Sequence, residues 1–210
     1  MRSNLFIIAQ NGWNYVISSA VLFLLFLLFD FDFLAFLTFA TMLFFLFAFR
    51  NPERELLSFE EDSVLSPVDG VVSAITELDD SEYAYKIDVK STYLDVSLLR
   101  APINANLQSV KFQNGTRVSS ESPLFEDTNE NVEIVFLSKN GNKIKVTHRL
   151  TQSFAPLSID VIKSQTLMKS SRYGVMLCGI TSIYLPRNVR LNINLANEVK
   201  ASETLLANLY

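Results

Sequence analysis

Two apolar runs dominate the first fifty residues, Val16 to Phe29 and Phe33 to Phe49, separated by Asp30-Phe31-Asp32. Trp13, Asn14 and Tyr15 lengthen the first run at its start. A membrane span needs roughly 17–25 apolar residues, so each run is at the short end. One continuous tilted span would bury two carboxylates mid-bilayer, at about 2.5–3.5 kcal/mol each. A helical hairpin puts them at the far surface instead, and the pattern predicts that arrangement over residues 1–50. A single span and a cleaved signal peptide are the alternatives. A signal peptide needs a short apolar core and a small-residue cleavage site, and neither fits. Arg2 precedes the runs, and Arg50 and Arg54 follow them. By the positive-inside rule both ends are expected on the cytoplasmic face of the cell (inner) membrane.

After Arg50 the pattern changes within a few residues. Val64 to Ile75 is β-rich and broken by a Pro-x-Asp-Gly turn. Ile87, Val89, Leu94, Val96 and Leu98 alternate like strand residues. Val132 to Leu137 and Lys143 to Val146 flank Asn140-Gly141, which predicts a type I′ hairpin. Tyr173 to Leu177, Ile180 to Leu185 and Val189 to Leu195 read as further short strands. Helical periodicity is absent, and Glu53 to Glu61 is at most a connector. The expected fold is therefore mainly β, a compact sandwich or barrel over residues 51–210, preceded by the transmembrane hairpin.

Composition sharpens this division. Residues 1–50 hold 12 of the 17 phenylalanines and four charges, Arg2, Asp30, Asp32 and Arg50. The remainder carries 16 basic and 20 acidic residues, so the whole net charge of −4 belongs to it. A mildly acidic domain argues against nucleic-acid binding. A single cysteine excludes an internal disulfide and a Cys-cluster metal site, and a single histidine excludes a His-rich one.

Several motifs follow one another along the chain: F-R-N-P-E-R (Phe49 to Arg54), S-P-V-D-G (Ser66 to Gly70) and D-V-S-L-L-R-A-P (Asp95 to Pro102). Then come T-N-E-N (Thr128 to Asn131), R-Y-G-V-M-L-C-G (Arg172 to Gly179), Y-L-P (Tyr184 to Pro186) and E-V-K-A-S-E-T-L (Glu198 to Leu205). In this order and spacing they resemble the short, membrane-anchored type of phosphatidylserine decarboxylase. That family's pattern is F-R-D-P-x-R, S-P-x-D-G, D-V-H-x-N-R-x-P, N-E-R, R-x-G-x-x-x-F-G-S, L-P and V-x-A-G-E-T. Ile8 to Tyr15 is similar to its opening.

The resemblance implies a proenzyme chemistry. A serine hydroxyl attacks the carbonyl of the preceding glycine, the chain breaks by β-elimination, and the new N-terminus becomes a pyruvoyl group that acts as an electron sink. An Asp in S-P-x-D-G and a His in D-V-H are assigned to the base machinery. Here Asp69 is retained, but Ser97 stands at the His position and Leu99 at the following Asn, while Arg100 and Pro102 remain. Asn131 replaces the N-E-R arginine, and Ser202 replaces the glycine of A-G-E-T. Gly179 is followed by Ile180, whose alkyl side chain cannot perform the acyl shift. The stretch from Gly179 to Pro186 is also one residue shorter than the pattern, so the serine is either replaced or deleted.

Thr181 and Ser182 are displaced nucleophile candidates, though neither follows a glycine. Cys178 reads as a core cysteine and His148 as a structural histidine. Asp69 reads equally as turn chemistry, and Lys200 only faintly resembles a lipoylated hairpin lysine. The resulting expectation is a non-catalytic, membrane-anchored relative tied to phosphatidylethanolamine metabolism, with no cofactor. It would bind aminophospholipid head groups through Asp69 and Arg100 or partner a phospholipid-synthesis enzyme. The alternatives are an active decarboxylase whose processing nucleophile is displaced to Ser182 or Thr181, with a pyruvoyl group only in that case, and a structural membrane protein.

Overall fold

The computed structural model describes residues 7–54, 59–80 and 82–210, so the expected connector lies partly outside the described residues. The chain divides into two compact units at the Glu53–Arg54 bond.

The first unit is a pair of helices, α1 (Trp13–Leu28) and α2 (Asp32–Ala48). Both lack Gly and Pro, and Asp32 opens α2, where a carboxylate complements the helix dipole. Ring contacts pair Tyr15 with Phe45 and Phe49, and Phe23 with Phe39. These contacts descend one helix while climbing the other, so the helices are antiparallel. The serine and threonine hydroxyls bond back to their own helices, as in Ser18 to the Asn14 carbonyl at 2.7 Å and Thr41 to that of Leu37 at 2.9 Å. Each of these hydroxyls thereby has a partner on an otherwise apolar surface. Ahead of α1, the Ala9 N–H bonds the Phe49 carbonyl at 2.8 Å, closing the base of the pair. Among the described residues one helical stretch, Gln10–Leu28, is long and apolar enough to cross a membrane, while α2 is shorter.

The second unit is almost entirely β. Its strands are β1 (Ser63–Leu65), β2 (Gly70–Glu77), β3 (Tyr85–Ser91), β4 (Leu98–Arg100), β5 (Ala105–Gln113), β6 (Asn131–Ser138) and β7 (Lys143–Leu150). They continue as β8 (Ser158–Ile159), β9 (Thr166–Leu167), β10 (Arg172–Val175), β11 (Gly179–Leu185), β12 (Val189–Leu191), β13 (Glu198–Val199) and β14 (Leu205–Leu209), with one helical turn, α3 (Phe125–Thr128). An antiparallel eight-stranded sheet has the order β13-β2-β3-β11-β7-β6-β5-β9, and two three-stranded sheets have the orders β1-β14-β12 and β4-β10-β8. All three sheets contribute to one core, with Val64, Leu99, Tyr173 and Leu206 joining Ile87, Ile134, Val146 and Ile183 of the large sheet.

Four expectations are corrected. The large sheet has two free ends, β13 and β9, so no closed barrel forms. Leu94 is not a strand residue: β3 ends at Ser91, and Leu94 lies in a turn, 74% exposed. Asn140-Gly141 does not form a type I′ turn. The Gly141 N–H bonds the Ser138 carbonyl at 3.1 Å, and Gly141 alone has positive φ, +83°. That is a type I turn closed by a left-handed glycine, which a three-residue loop prefers. The strand expected to run to Leu195 stops at Leu191.

Candidate functional site

The motifs singled out in the sequence converge at one end of the large sheet, where β11 begins. Gly179 pairs with Ser91 of β3 on one side and Leu150 of β7 on the other. Ser91 donates its hydroxyl to the backbone carbonyl of Asp69 at 2.5 Å, bringing the S-P-V-D-G turn to the same place. The Met176 N–H bonds the Ser97 carbonyl at 2.8 Å, so the D-V-S segment abuts the turn that leads into Gly179. The Cys178 carbonyl takes the Thr151 N–H at 3.1 Å, and its thiol lies 3.4 Å from the Thr151 hydroxyl. Gly179 is needed by close packing: a Cβ there would come within 2.4 Å of the Arg149 carbonyl.

The Asp69 carboxylate is fully engaged. Its Oδ2 pairs with Arg54 at 2.5 Å, and its Oδ1 accepts the Ala201 N–H at 2.8 Å. Arg54 also reaches Glu203 at 3.1 Å. Three sequence motifs thus meet in one partly buried ionic cluster: P-E-R through Arg54, S-P-V-D-G through Asp69, and K-A-S-E through Ala201 and Glu203. Arg100 is buried on β4, with its guanidinium 3.4 Å from the Ser170 carbonyl. The ion-pair partner of Asp69 is Arg54, not Arg100.

Ile180, Thr181 and Ser182 lie in the unbroken part of β11, paired residue for residue with β3 and β7. Successive side chains alternate between faces. Thr181 faces the core, in a cross-strand row with Val89 and His148. Its hydroxyl is 2.8 Å from His148 Nδ1, and His148 Nε2 is 2.6 Å from the Tyr173 hydroxyl. Burial pushes the imidazole down to about 3, so it is neutral at pH 7, and pushes the Tyr173 phenol up. A neutral imidazole has one N–H, so the chain runs in one of two senses. Either Tyr173 donates to Nε2 and Nδ1–H to Thr181, or Thr181 donates to Nδ1 and Nε2–H to Tyr173. Ser182 faces the other side of the sheet and donates to Asp88 at 2.5 Å, and Asp88 pairs with Lys86 at 3.1 Å.

Two substituted positions carry a physical trace. Ser97 is buried, and its hydroxyl has no hydrogen-bond partner among the described residues. Ser202 is buried, its hydroxyl also has no partner among the described residues, and its φ is +68°, in the region that favours glycine. Asn131 keeps a structural role, donating to the Asn129 carbonyl at 3.0 Å. Lys200 flanks β13, and its N–H bonds the Thr204 hydroxyl at 2.9 Å. Among the described residues no cluster of His, Cys, Asp and Glu could hold a metal ion.

A family model described as phosphatidylserine decarboxylase matches residues 41–207. The chain belongs to the phosphatidylserine decarboxylase family. Relatives named phosphatidylserine decarboxylase proenzyme include one from Burkholderia lata, 25% identical over 97% of this chain and 96% of its own length. Another, from Burkholderia pseudomallei, is 26% identical over 97% of this chain and 95% of its own. One from Desulfotalea psychrophila is 27% identical over 78% of each chain.

The sequence reading missed Tyr173, Ser91 and Asp88 as partners of the site, and the pairing of Arg54 with Asp69. Arg54 and Tyr173 stood inside quoted motifs, which was the available signal. Ser91 and Asp88 lie in an ordinary strand, and only the register of β3 against β2 on one side and β11 on the other gives them partners.

Proposed function

We propose that this chain is a non-catalytic member of the phosphatidylserine decarboxylase family. It is anchored in the membrane by its helical hairpin, faces the cytoplasm, and acts in phospholipid metabolism by holding aminophospholipid head groups or a phospholipid-synthesis enzyme. The observation that carries this reading is the run after Gly179. Ile180 has no hydroxyl, the Thr181 hydroxyl is sealed in the core against His148, and the Ser182 hydroxyl is held by Asp88. The residues present do not fit a pyruvoyl group, which needs a hydroxyl residue at a chain break. A β11 bonded on both sides also lacks the strained turn that an acyl shift uses.

A second reading rests on one distance. Thr181 and His148 form a hydroxyl–imidazole pair at 2.8 Å, the geometry of a nucleophile and its base. Full burial of both side chains argues against it, because release of an amine and entry of water need access.

Intact-mass measurement of the purified protein separates the two readings. A single chain near 23.8 kDa is expected. A C-terminal fragment beginning at Thr181 or Ser182 with a blocked end would establish self-processing and overturn the non-catalytic reading.

A further inference from the structure

We propose that Asn140, at the tip of the β6–β7 hairpin, is a site of spontaneous deamidation, and that the reaction cuts one of the ties on the segment leading into β1. It needs no enzyme and only water as co-reactant. The Gly141 nitrogen attacks the side-chain carbonyl carbon of Asn140 and closes a five-membered imide. Ammonia leaves with the proton that the nitrogen gives up. Water then opens the imide at either carbonyl, and the residue becomes aspartate or its β-linked isomer. Glycine in the following position favours the attack because it carries no Cβ to hinder it.

The chain holds three Asn-Gly pairs, at 11–12, 114–115 and 140–141, and the dipeptide alone does not rank them. Their surroundings do. Gly12 closes the 3₁₀ turn ahead of α1, its N–H bonds the Ala9 carbonyl at 2.9 Å, and a Cβ there would collide with Phe49. Gly115 is pressed against the backbone of Thr128 and Asn129. The residue after it is fastened on both sides: the Thr116 N–H bonds the Thr128 carbonyl at 2.7 Å, and the Glu130 N–H bonds the Thr116 carbonyl at 2.9 Å. Around Gly141, by contrast, a Cβ would meet nothing within 4 Å, and Asn140 and Gly141 are both exposed. The bond that the Gly141 N–H must release, to the Ser138 carbonyl at 3.1 Å, closes an exposed hairpin tip, which opens at low cost. Closing the imide swings the glycine nitrogen toward the side chain, and the room for that swing is at 140–141.

The product has a definite effect. Asn140 Nδ2 donates to Asp62 Oδ1 at 2.9 Å. Deamidation replaces this donor with a second carboxylate, so an attraction becomes a repulsion. Residues 60–63 keep their other ties. The Lys169 ammonium bonds the Glu60 and Glu61 carbonyls at 2.7 and 3.2 Å and the Ser63 hydroxyl at 2.8 Å, and the Leu209 N–H bonds the Asp62 carbonyl at 2.9 Å. The segment therefore loosens on its hairpin side and stays fastened to β14.

The test incubates the full folded chain at mildly alkaline pH in water labelled with heavy oxygen. Peptide mapping by mass spectrometry then reads amide-to-acid conversion and label uptake at each asparagine. Synthetic peptides spanning the three pairs give the rates without structure. Asn140 is expected to convert at close to its peptide rate, and Asn11 and Asn114 about tenfold more slowly than theirs, because their opening costs more. Retention of the amide at Asn140, or conversion of Asn11 or Asn114 as fast as Asn140, overturns the site. The effect on the tie is read separately. Asn140→Asp should melt at a lower temperature than Asn140→Ala at low ionic strength, with the gap closing in high salt. Equal melting of the two variants overturns the repulsion against Asp62.

Discussion

Nδ1 of His148 lies 2.8 Å from the Thr181 hydroxyl, and neither side chain meets solvent. The only imidazole in the chain is thus a core residue, held at its other nitrogen by Tyr173. Its contribution to stability has a definite pH dependence. In the unfolded chain the imidazole takes up a proton as pH falls through about 6.5, whereas the folded chain resists protonation until about 3. The stability tied to neutral His148 is therefore fully present above pH 6.5 and is lost as pH falls toward 3. Unfolding free energies at pH 7.5 and pH 5 should differ by about 2 kcal/mol from this group. His148→Gln should flatten that difference, and an unchanged slope would assign it to other groups.

Tyr173→Phe removes the partner of Nε2 without changing the packing volume. A buried group left unpaired costs about 1–3 kcal/mol. The variant should lose that much stability and still run as one chain.

Arg54, Asp69 and Glu203 tie the start of the β domain to the loop between β13 and β14. Removing one partner from a buried ion pair costs about 3 kcal/mol, because the other charge stays behind. Arg54→Met should cost about that much, and Arg54→Met with Asp69→Asn less than the sum of the two single changes. Additive losses in a double-mutant cycle would show that the pair is not coupled.

Ser202 combines a left-handed backbone with a buried hydroxyl that has no partner among the described residues. A non-glycine residue in that region costs about 1–2 kcal/mol. Ser202→Gly should stabilise the protein by about 1 kcal/mol after the extra entropy of a flexible unfolded glycine is deducted. A lower melting temperature would contradict this account.

Restoring self-cleavage should require both a hydroxyl and a base. Ile180→Ser alone should leave the chain intact, since Ser97 supplies no imidazole. Serine inserted between Gly179 and Ile180, together with Ser97→His, is the variant expected to release a fragment, in part only. Residues that act as a unit are strongly non-additive, and a one-residue insertion must be absorbed by the turn rather than slip β11, which would flip Thr181 and Ser182 to the wrong faces. Mass spectrometry reads the outcome. Cleavage by Ile180→Ser alone would remove the need for the base.

The sequence by itself determined the two helices, most central strands and the family. These rest on local patterns: continuous apolar runs, alternation, and motifs in order. It also marked Ser202 and Ile180 as departures. Its reach ended where alternation was broken. β5 was not legible because a register shift between Leu107 and Ser109 moves its apolar positions from 105 and 107 to 110 and 112. Leu94 misled for the opposite reason, keeping the alternation's phase while sitting in a turn. The tertiary structure alone decided the pairing of Arg54 with Asp69, of Thr181 with His148, and of Ser182 with Asp88. Each joins residues from separate motifs or strands, and only the register of β11 between β3 and β7 decides which hydroxyl faces the core and which faces a carboxylate.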